Sequence, residues 1–257
     1  MRFCSNNTSF SAPYIAILFS VLLLQSGTAA AVSVGMVDTF SDGTLQGWQL
    51  GSIDETPQHM TNIVDGGPAG VGDNYLQTVA DALEPAAGNR LTILNRLQWA
   101  GDYTTAGVTS IAMDVSNFGP DPLNLRLGIS GGTVIDPVNG TVDGGLFVTT
   151  ASVSLAAGSG WTHVVFSFVA SDFTAVSGRS GQTGNNIDAT LADVWELRLL
   201  NSATPSWTGL KTTTTLGIDN ISAVPLPPAL LLYGSGLIIL GAWRRRRGAP
   251  NPALLGA

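Results

Sequence analysis

The sequence predicts an all-β domain of two packed sheets, flanked by two apolar terminal segments. Three observations predict it. Short stretches of alternating polar and apolar residues recur between turn-forming clusters over residues 32–223. Long amphipathic stretches are lacking there, and the best helix candidate is about one turn at residues 188–192. Each terminus carries an uncharged apolar run, at residues 14–24 and 229–243.

The N-terminal segment, residues 1–31, has the organisation of a secretory signal peptide. Arg2 precedes the apolar run, and small residues follow it as far as Ala30 and Ala31. We expect signal peptidase to cleave after Ala30 or Ala31, because the enzyme reads small residues at this place. An uncleaved anchor is the alternative, although the run is shorter than the roughly 20 residues that span a bilayer. Cleavage would also remove Cys4, the only cysteine, which excludes a disulfide scaffold.

The central segment is strongly acidic. All 18 acidic residues lie between Asp38 and Asp219, a region that contains only six basic residues. The resulting net charge, 6 − 18 = −12, excludes nucleic acid as an expected partner, because its phosphates would be repelled. Charged residues make up only 11% of the whole chain, which is low for a soluble domain and typical of an exported or surface protein.

Five stretches of the central segment have the clearest strand pattern. In residues 123–129, Leu and Ile alternate with Asn124, Arg126 and Gly128, which indicates a strand with one buried face. The other four are residues 110–115, 163–168, 194–200 and 216–222. Clusters rich in Gly, Pro and Asn separate them. Strands at this spacing predict a two-sheet sandwich.

The first and last segments of this region resemble those of jelly-roll domains of the carbohydrate-binding and galactose-binding type. Residues 38–48 read DTFSDGTLQGW, and residues 217–221 read GIDNI. The resemblance implies a jelly-roll-like β-sandwich with its first and last strands side by side. It also implies a structural calcium near them, with Asp38, Asp42 and Asp219 as ligands, since carboxylates are suitable oxygen donors. Ordinary turn and strand-end aspartates are the alternative.

The C-terminal segment, residues 224–247, combines three features. A proline-rich motif breaks regular structure, residues 226–243 are long enough to span a membrane as a single helix, and an arginine cluster would stay cytoplasmic. This order resembles the PEP-CTERM protein-sorting signal, which implies processing by an exosortase. The matching positions are Val224, Pro225, Pro227, Arg244, Arg245, Arg246 and Arg247. A plain membrane anchor is the alternative, and residues 248–257 would form a short cytoplasmic tail in either case.

Catalytic patterns are scarce, so we predict no catalytic residues. The two histidines lack metal-ligand spacing. Aromatic rings can stack on the apolar faces of sugars. Trp99 and Trp207 have loop-like surroundings and are the candidates for glycan stacking, whereas the strand-like surroundings of Trp48, Trp161 and Trp195 indicate core positions.

These features predict an exported bacterial surface or extracellular-matrix protein. Signal peptidase and an exosortase would process it, and the inner membrane would hold it through residues 226–243 until sorting. Its non-enzymatic β domain would bind extracellular polysaccharide or calcium. A polysaccharide-active enzyme on the same fold is one alternative, and it requires two carboxylates that converge in a groove. A structural envelope protein without a ligand is the other.

Overall fold

The computed structural model describes residues 31–51, 59–84, 86–135, 142–178 and 185–225. Two short helices, α1 (Tyr103–Ala106) and α2 (Ile187–Ala192), and two 3-10 turns, Ala86–Asn89 and Ala170–Asp172, lie among its strands. In chain order the strands are β1 Val37–Asp38, β2 Trp48–Leu50, β3 Met60–Ile63, β4 Tyr75–Ala80, β5 Thr92–Asn95, β6 Ser110–Asn117, β7 Leu123–Ile135, β8 Val142–Thr149, β9 Val153–Leu155, β10 Ser159–Ser167, β11 Phe173–Ala175, β12 Val194–Asn201 and β13 Thr214–Val224.

The strands form two antiparallel sheets. The six-stranded sheet has the order β10-β6-β13-β4-β3, with β1 also paired to β13. The seven-stranded sheet has the order β11-β8-β7-β12-β5-β2, with β9 also paired to β7. The first and last strands lie side by side, since Val37 pairs with Ser222 and Asp38 with Ile221. The all-β, jelly-roll-like sandwich predicted from the sequence is therefore confirmed.

The hydrophobic core between the sheets comes from the alternating strand residues. Leu123, Leu125, Leu127 and Ile129 of β7 are almost completely buried and join one cluster with the apolar residues of β6, β12 and β13. Each such side chain contributes about 1.5–3 kcal/mol by leaving water. The outward positions of β7 are left to polar residues and glycine. The five predicted strands are confirmed as β6, β7, β10, β12 and β13.

The predicted helical turn is confirmed as α2. It begins after Asn186, whose side-chain oxygen accepts a hydrogen bond from the backbone N–H of Ala189 at 3.0 Å. A side chain at this position satisfies a backbone donor that the first helical turn leaves free.

The predicted terminal segments lie largely outside the described residues, including Ala30, Pro227, Arg244, Arg245, Arg246 and Arg247. Val32 follows the predicted cleavage sites; its side chain is buried, and its N–H donates to the Ala100 carbonyl oxygen at 3.0 Å. At the other end, β13 stops at Val224, directly before Pro225, which has no N–H to continue a sheet. None of the helices in the described ranges is long and apolar enough to cross a membrane.

Candidate functional site

Asp38, the first predicted calcium ligand, lies inside the sandwich between two tryptophans. Its Oδ2 accepts hydrogen bonds from Nε1 of Trp48 and Nε1 of Trp99, each at 2.7 Å. Nε2 of Gln98 donates to both carboxylate oxygens at 3.3 Å. Burial raises the pKa of Asp38, although these hydrogen bonds act in the opposite direction. The carboxylate is therefore already occupied by neutral N–H donors of the protein.

The second predicted ligand, Asp42, is an exposed turn residue. Its Oδ1 accepts hydrogen bonds from the backbone N–H and the hydroxyl of Thr44, both at 2.9 Å. This is the arrangement of an Asx turn, in which the side chain stabilises its own loop. The same hydrogen bonds lower the pKa of Asp42, the backbone bond most strongly.

The third predicted ligand, Asp219, is buried in an unusual way. It is 1% exposed, and its Oδ1 has no hydrogen-bond partner in the structure. The pKa of Asp219 is raised to about 7, chiefly by burial and also by the carboxylates of Asp73 and Asp114, while the hydrogen bond from the backbone of Asn220 acts in the opposite direction. Its surroundings thus favour the neutral, protonated form.

The three aspartates do not fit a calcium site as a set. Asp38 is held by two indoles and Asp42 by its own turn, whereas Oδ1 of Asp219 has no hydrogen-bond partner. Within the described ranges, no group of three or more His, Cys, Asp or Glu side chains could hold a metal ion. We therefore do not include calcium in the function proposed below.

The prediction that Trp99 stacks on a glycan is wrong. Its side chain is 0% exposed and packs against Trp48, with 6.3 Å between ring centroids. The polar residues around it favour a loop, but the loop folds back so that the indole reaches Asp38. The core position predicted for Trp48 is confirmed, whereas Trp195 is 44% exposed. A β-bulge between Val194 and Glu196 explains this difference, because a bulge changes the direction of a strand side chain.

Trp207 lies on the outer face of the seven-stranded sheet. Its half-buried ring packs against a small apolar cluster and rests over Gly128, where an added Cβ would lie only 3.1 Å from the ring. The guanidinium carbon of Arg198 lies 4.2 Å from the ring centroid, which is cation–π geometry. Nη1 of Arg198 also donates to the Trp207 carbonyl oxygen at 3.0 Å. A strand glycine and a strand arginine therefore fix this loop tryptophan on the sheet.

Arg198 continues into an ion-pair network with Glu196 and Arg96. Oε1 of Glu196 accepts from Nε and Nη2 of Arg198 at 2.7 and 2.6 Å. Oε2 accepts from Nε and Nη2 of Arg96 at 2.9 and 2.7 Å. The Glu196 and Arg198 side chains are 5% and 10% exposed, whereas that of Arg96 is 57% exposed. One carboxylate thus orients two guanidiniums, of which one faces solvent. We call these four residues, Trp207, Arg198, Glu196 and Arg96, the arginine–tryptophan row.

Arg126 lies on the same outer face and is buried. It donates to the carbonyl oxygens of Ser202 at 2.9 Å, Thr149 at 2.7 Å and Ala203 at 2.9 Å, and also to that of Thr150. Burial lowers the pKa of Arg126. Because these carbonyls belong to the end of β8, to the residue after it and to the segment after β12, Arg126 ties that segment to the sheet. The sequence analysis did not predict this network. The only sequence feature that points to it is the presence of charged residues at alternating positions of otherwise apolar strands.

Two carboxylates belong to paired strand positions in the six-stranded sheet. Asp114 is the strand partner of Asp219, and its oxygens contact Nδ1 of His163 at 2.8 Å and Nδ2 of Asn220 at 2.8 Å. A substrate could not reach Asp219, since it is 1% exposed. A groove of about 590 Å³ lies elsewhere, beside β9 and β10, and among its described lining residues Asp172 is the one carboxylate. Neither place has the paired carboxylates of a glycosidase.

No family model and no curated protein matches the chain. Solved structures are similar in fold. An exo-β-agarase matches with a TM-score of 0.49 and 14% identity over 76% of this chain and 25% of its own. The family 11 carbohydrate-binding module of Clostridium thermocellum, in complex with a β-1,3-1,4-mixed-linked tetrasaccharide, has a TM-score of 0.44 and 18% identity, with 76% and 98% covered.

A third similar structure is a carbohydrate-binding module of family 28, specific for non-crystalline cellulose, with a TM-score of 0.42 and 14% identity over 76% of this chain and 97% of that one. The chain thus spans about a quarter of the agarase and almost all of each module. At these identities the likeness concerns the fold alone, and the strand pairing of this chain is what establishes its sandwich.

Proposed function

We propose that this protein is a non-catalytic polysaccharide-binding protein, and that glycan binds on the outer face of the seven-stranded sheet. The observation that carries the proposal is the arginine–tryptophan row. The exposed part of the Trp207 ring offers an apolar surface for sugar C–H groups. The exposed guanidinium of Arg96 in the same row offers hydrogen-bond donors for hydroxyls. Together these are the two kinds of contact that a sugar ring makes.

Rigidity of the row supports the proposal. Water competes for every sugar hydroxyl, so a binding surface gains affinity when its polar groups are ordered before the ligand arrives. Glu196 holds both guanidiniums, and Arg198, which lies on β12 like Glu196, holds the Trp207 ring and backbone. Side chains on a sheet are positioned more precisely than those on a free loop.

The proposal includes export and surface sorting. Its support is the sequence: a signal-peptide pattern in residues 1–31, and the resemblance of residues 224–247 to a PEP-CTERM signal read by an exosortase. The resulting location is the bacterial surface or its polysaccharide matrix. Mass analysis of the protein from cells and from medium tests this part, because exosortase processing would remove everything after the region of residues 224–227. A membrane-bound form that retains residues 229–247 would contradict sorting and leave a permanent anchor.

The binding experiment compares two half-buried tryptophans on opposite faces. Full-length protein in a neutral detergent is subjected to affinity electrophoresis in gels that contain soluble neutral or acidic polysaccharides. We expect Trp207→Ala to weaken binding about tenfold, which corresponds to about 1.4 kcal/mol. The matched control is Trp161→Ala, on the six-stranded sheet, and it should bind like the unmodified protein. Absence of binding to every polysaccharide, or equal losses in the two variants, would refute the proposed function.

A further inference from the structure

The basic residues of the described chain are concentrated on one face. Arg126 belongs to β7 and Arg198 to β12, while Arg90 and Arg96 flank β5 at its two ends. Lys211 pairs with Arg90 in an antiparallel bridge, so the two side chains point to the same side. These five are all the Arg and Lys residues within the described ranges.

Strand alternation shows which face this is. Leu91 and Ile93 belong to the core between the sheets, so the alternate positions 90, 92, 94 and 96 point outward. Arg96 confirms the direction through its contact with Glu196, whose chain neighbour Leu197 points into the core. The five basic residues therefore surround the outer face of the seven-stranded sheet.

The acidic residues are distributed differently. The strands of the six-stranded sheet contain Asp38, Asp114 and Asp219 and no Arg or Lys. Among the strand side chains that the structure describes in the seven-stranded sheet, Glu196 is the one carboxylate. The net charge of −12 over the central segment thus conceals a concentration of basic residues around one sheet face. An acidic protein with a basic face directs anions to that face.

Arg96 is the cation best placed to meet an anion. Glu196 binds its Nε and Nη2 atoms, which leaves the Nη1 donors outside the network, and the side chain is 57% exposed. Two guanidiniums share one carboxylate, so the four residues of the row together have a formal charge of +1. A guanidinium held in a fixed plane binds carboxylate or sulfate oxygens with two parallel hydrogen bonds.

We propose that the polysaccharide bound by this face is anionic, and that Arg96 binds its acid groups while Trp207 contacts the sugar ring. This inference rests on the proposed function and specifies its ligand class. Carboxylate-bearing and sulfate-bearing glycans share the required chemistry. The charge distribution favours both over neutral glycans, which the acidic remainder of the protein would neither attract nor repel.

The test keeps one polymer backbone and varies only its charge. Full-length protein is titrated with dextran, carboxymethyl-dextran and dextran sulfate, and with polygalacturonate as a uronic-acid polymer, at low and at moderate NaCl concentration. We expect the anionic polymers to bind at least tenfold more tightly than dextran at low salt, and salt to weaken that binding. The two charged dextrans distinguish carboxylate from sulfate as the preferred group.

Variants identify the residue responsible. Arg96→Gln should abolish most of the preference for charged polymers, whereas Arg96→Lys should retain part of it, since lysine keeps the charge but not the planar donor set. Lys211→Gln should weaken anionic binding less. His163→Gln, on the opposite face, is the control and should change nothing.

The outcomes separate this inference from the proposed function. Binding of neutral polymers that depends on Trp207 but shows no preference for charge would overturn the inference and leave the proposed function intact. Equal weakening of neutral and anionic binding by Arg96→Gln would also overturn it. Absence of binding to every polymer would refute both.

Discussion

The outer faces of the two sheets each hold a tryptophan over a strand glycine, but their surroundings differ in chemistry. Trp161, on the six-stranded sheet, lies over Gly217 and packs edge-on against Tyr75 and Phe118, with ring centroids 5.2 and 5.9 Å away. Trp207, on the seven-stranded sheet, lies over Gly128 against a guanidinium. The first ring is held by other aromatic rings, and the second by a cation that also belongs to an ion-pair network.

The carboxylates of the two sheets differ in the same way. Glu196 is buried with two arginines, so its charge is compensated inside the protein. Asp219 is buried without a cation, and Asp38 is bound by indole and amide N–H groups. Buried carboxylates without a cationic partner are costly in the charged form. We therefore expect protonation to govern the stability of the six-stranded sheet, and fixed charge pairs to govern that of the other.

The largest expected effect is the loss of Arg126 from the seven-stranded sheet. Arg126→Met fills a similar volume but leaves four carbonyl oxygens without their donor. We expect the free energy of unfolding to fall by about 3–5 kcal/mol in urea denaturation. The exposed Lys211→Met is the control and should stay within about 0.5 kcal/mol of the unmodified protein. A loss below about 1 kcal/mol for Arg126→Met would show that water replaces the guanidinium.

The next effect is the pH dependence that Asp219 introduces into the six-stranded sheet. Its folded-state pKa of about 7 exceeds the ordinary value of 3.8, so between these values the folded protein binds one more proton than the unfolded chain. Stability from this group is therefore fully present below about pH 4 and is lost as pH rises through 7, by about 1.4 kcal/mol per unit. Asp38 contributes with the same sign, since its pKa is also raised.

Asp219→Asn isolates this contribution. Relative to the unmodified protein, the variant should gain stability as pH rises from about 4 to 7 and then show a constant difference, measured by urea denaturation at each pH. Asp42→Asn is the matched control. Because the pKa of Asp42 is lowered, its contribution to stability is lost as pH falls, which is opposite to the behaviour expected for Asp219. A difference between Asp219→Asn and the unmodified protein that does not change with pH would contradict the proposed protonation of Asp219.

Sequence patterns predicted the strands because burial acts on every second residue. The alternation in residues 123–129 was enough to place β7, and the likeness of residues 38–48 and 217–221 to jelly-roll segments was enough to pair β1 with β13. These features depend on local periodicity or on segments that share a fold family. They did not require knowledge of distant contacts.

The site was less predictable because it depends on contacts between distant residues. Trp99 and Trp207 have similar polar neighbours in sequence, yet Trp99 reaches Asp38 across 61 positions and is buried, while Trp207 rests on Gly128. Arg96 and Glu196 are 100 positions apart. The exposure of Trp195 depends on a one-residue bulge, which periodicity does not reveal. Charge sign along the strands was available in the sequence, but assigning it to one face required the strand order.

The smallest expected effect concerns the contact between the His163 and Asp114 side chains on the outer face of the six-stranded sheet. The two groups lie 2.8 Å apart, and the His163 side chain is 62% exposed. Exposed pairs contribute at most about 1 kcal/mol because water and salt screen them. His163→Gln should therefore lower the free energy of unfolding by less than about 1 kcal/mol, while polysaccharide binding stays unchanged. A larger loss would mean that the six-stranded sheet depends on this pair, and the contrast between neutral donors on one sheet and charge pairs on the other would no longer hold.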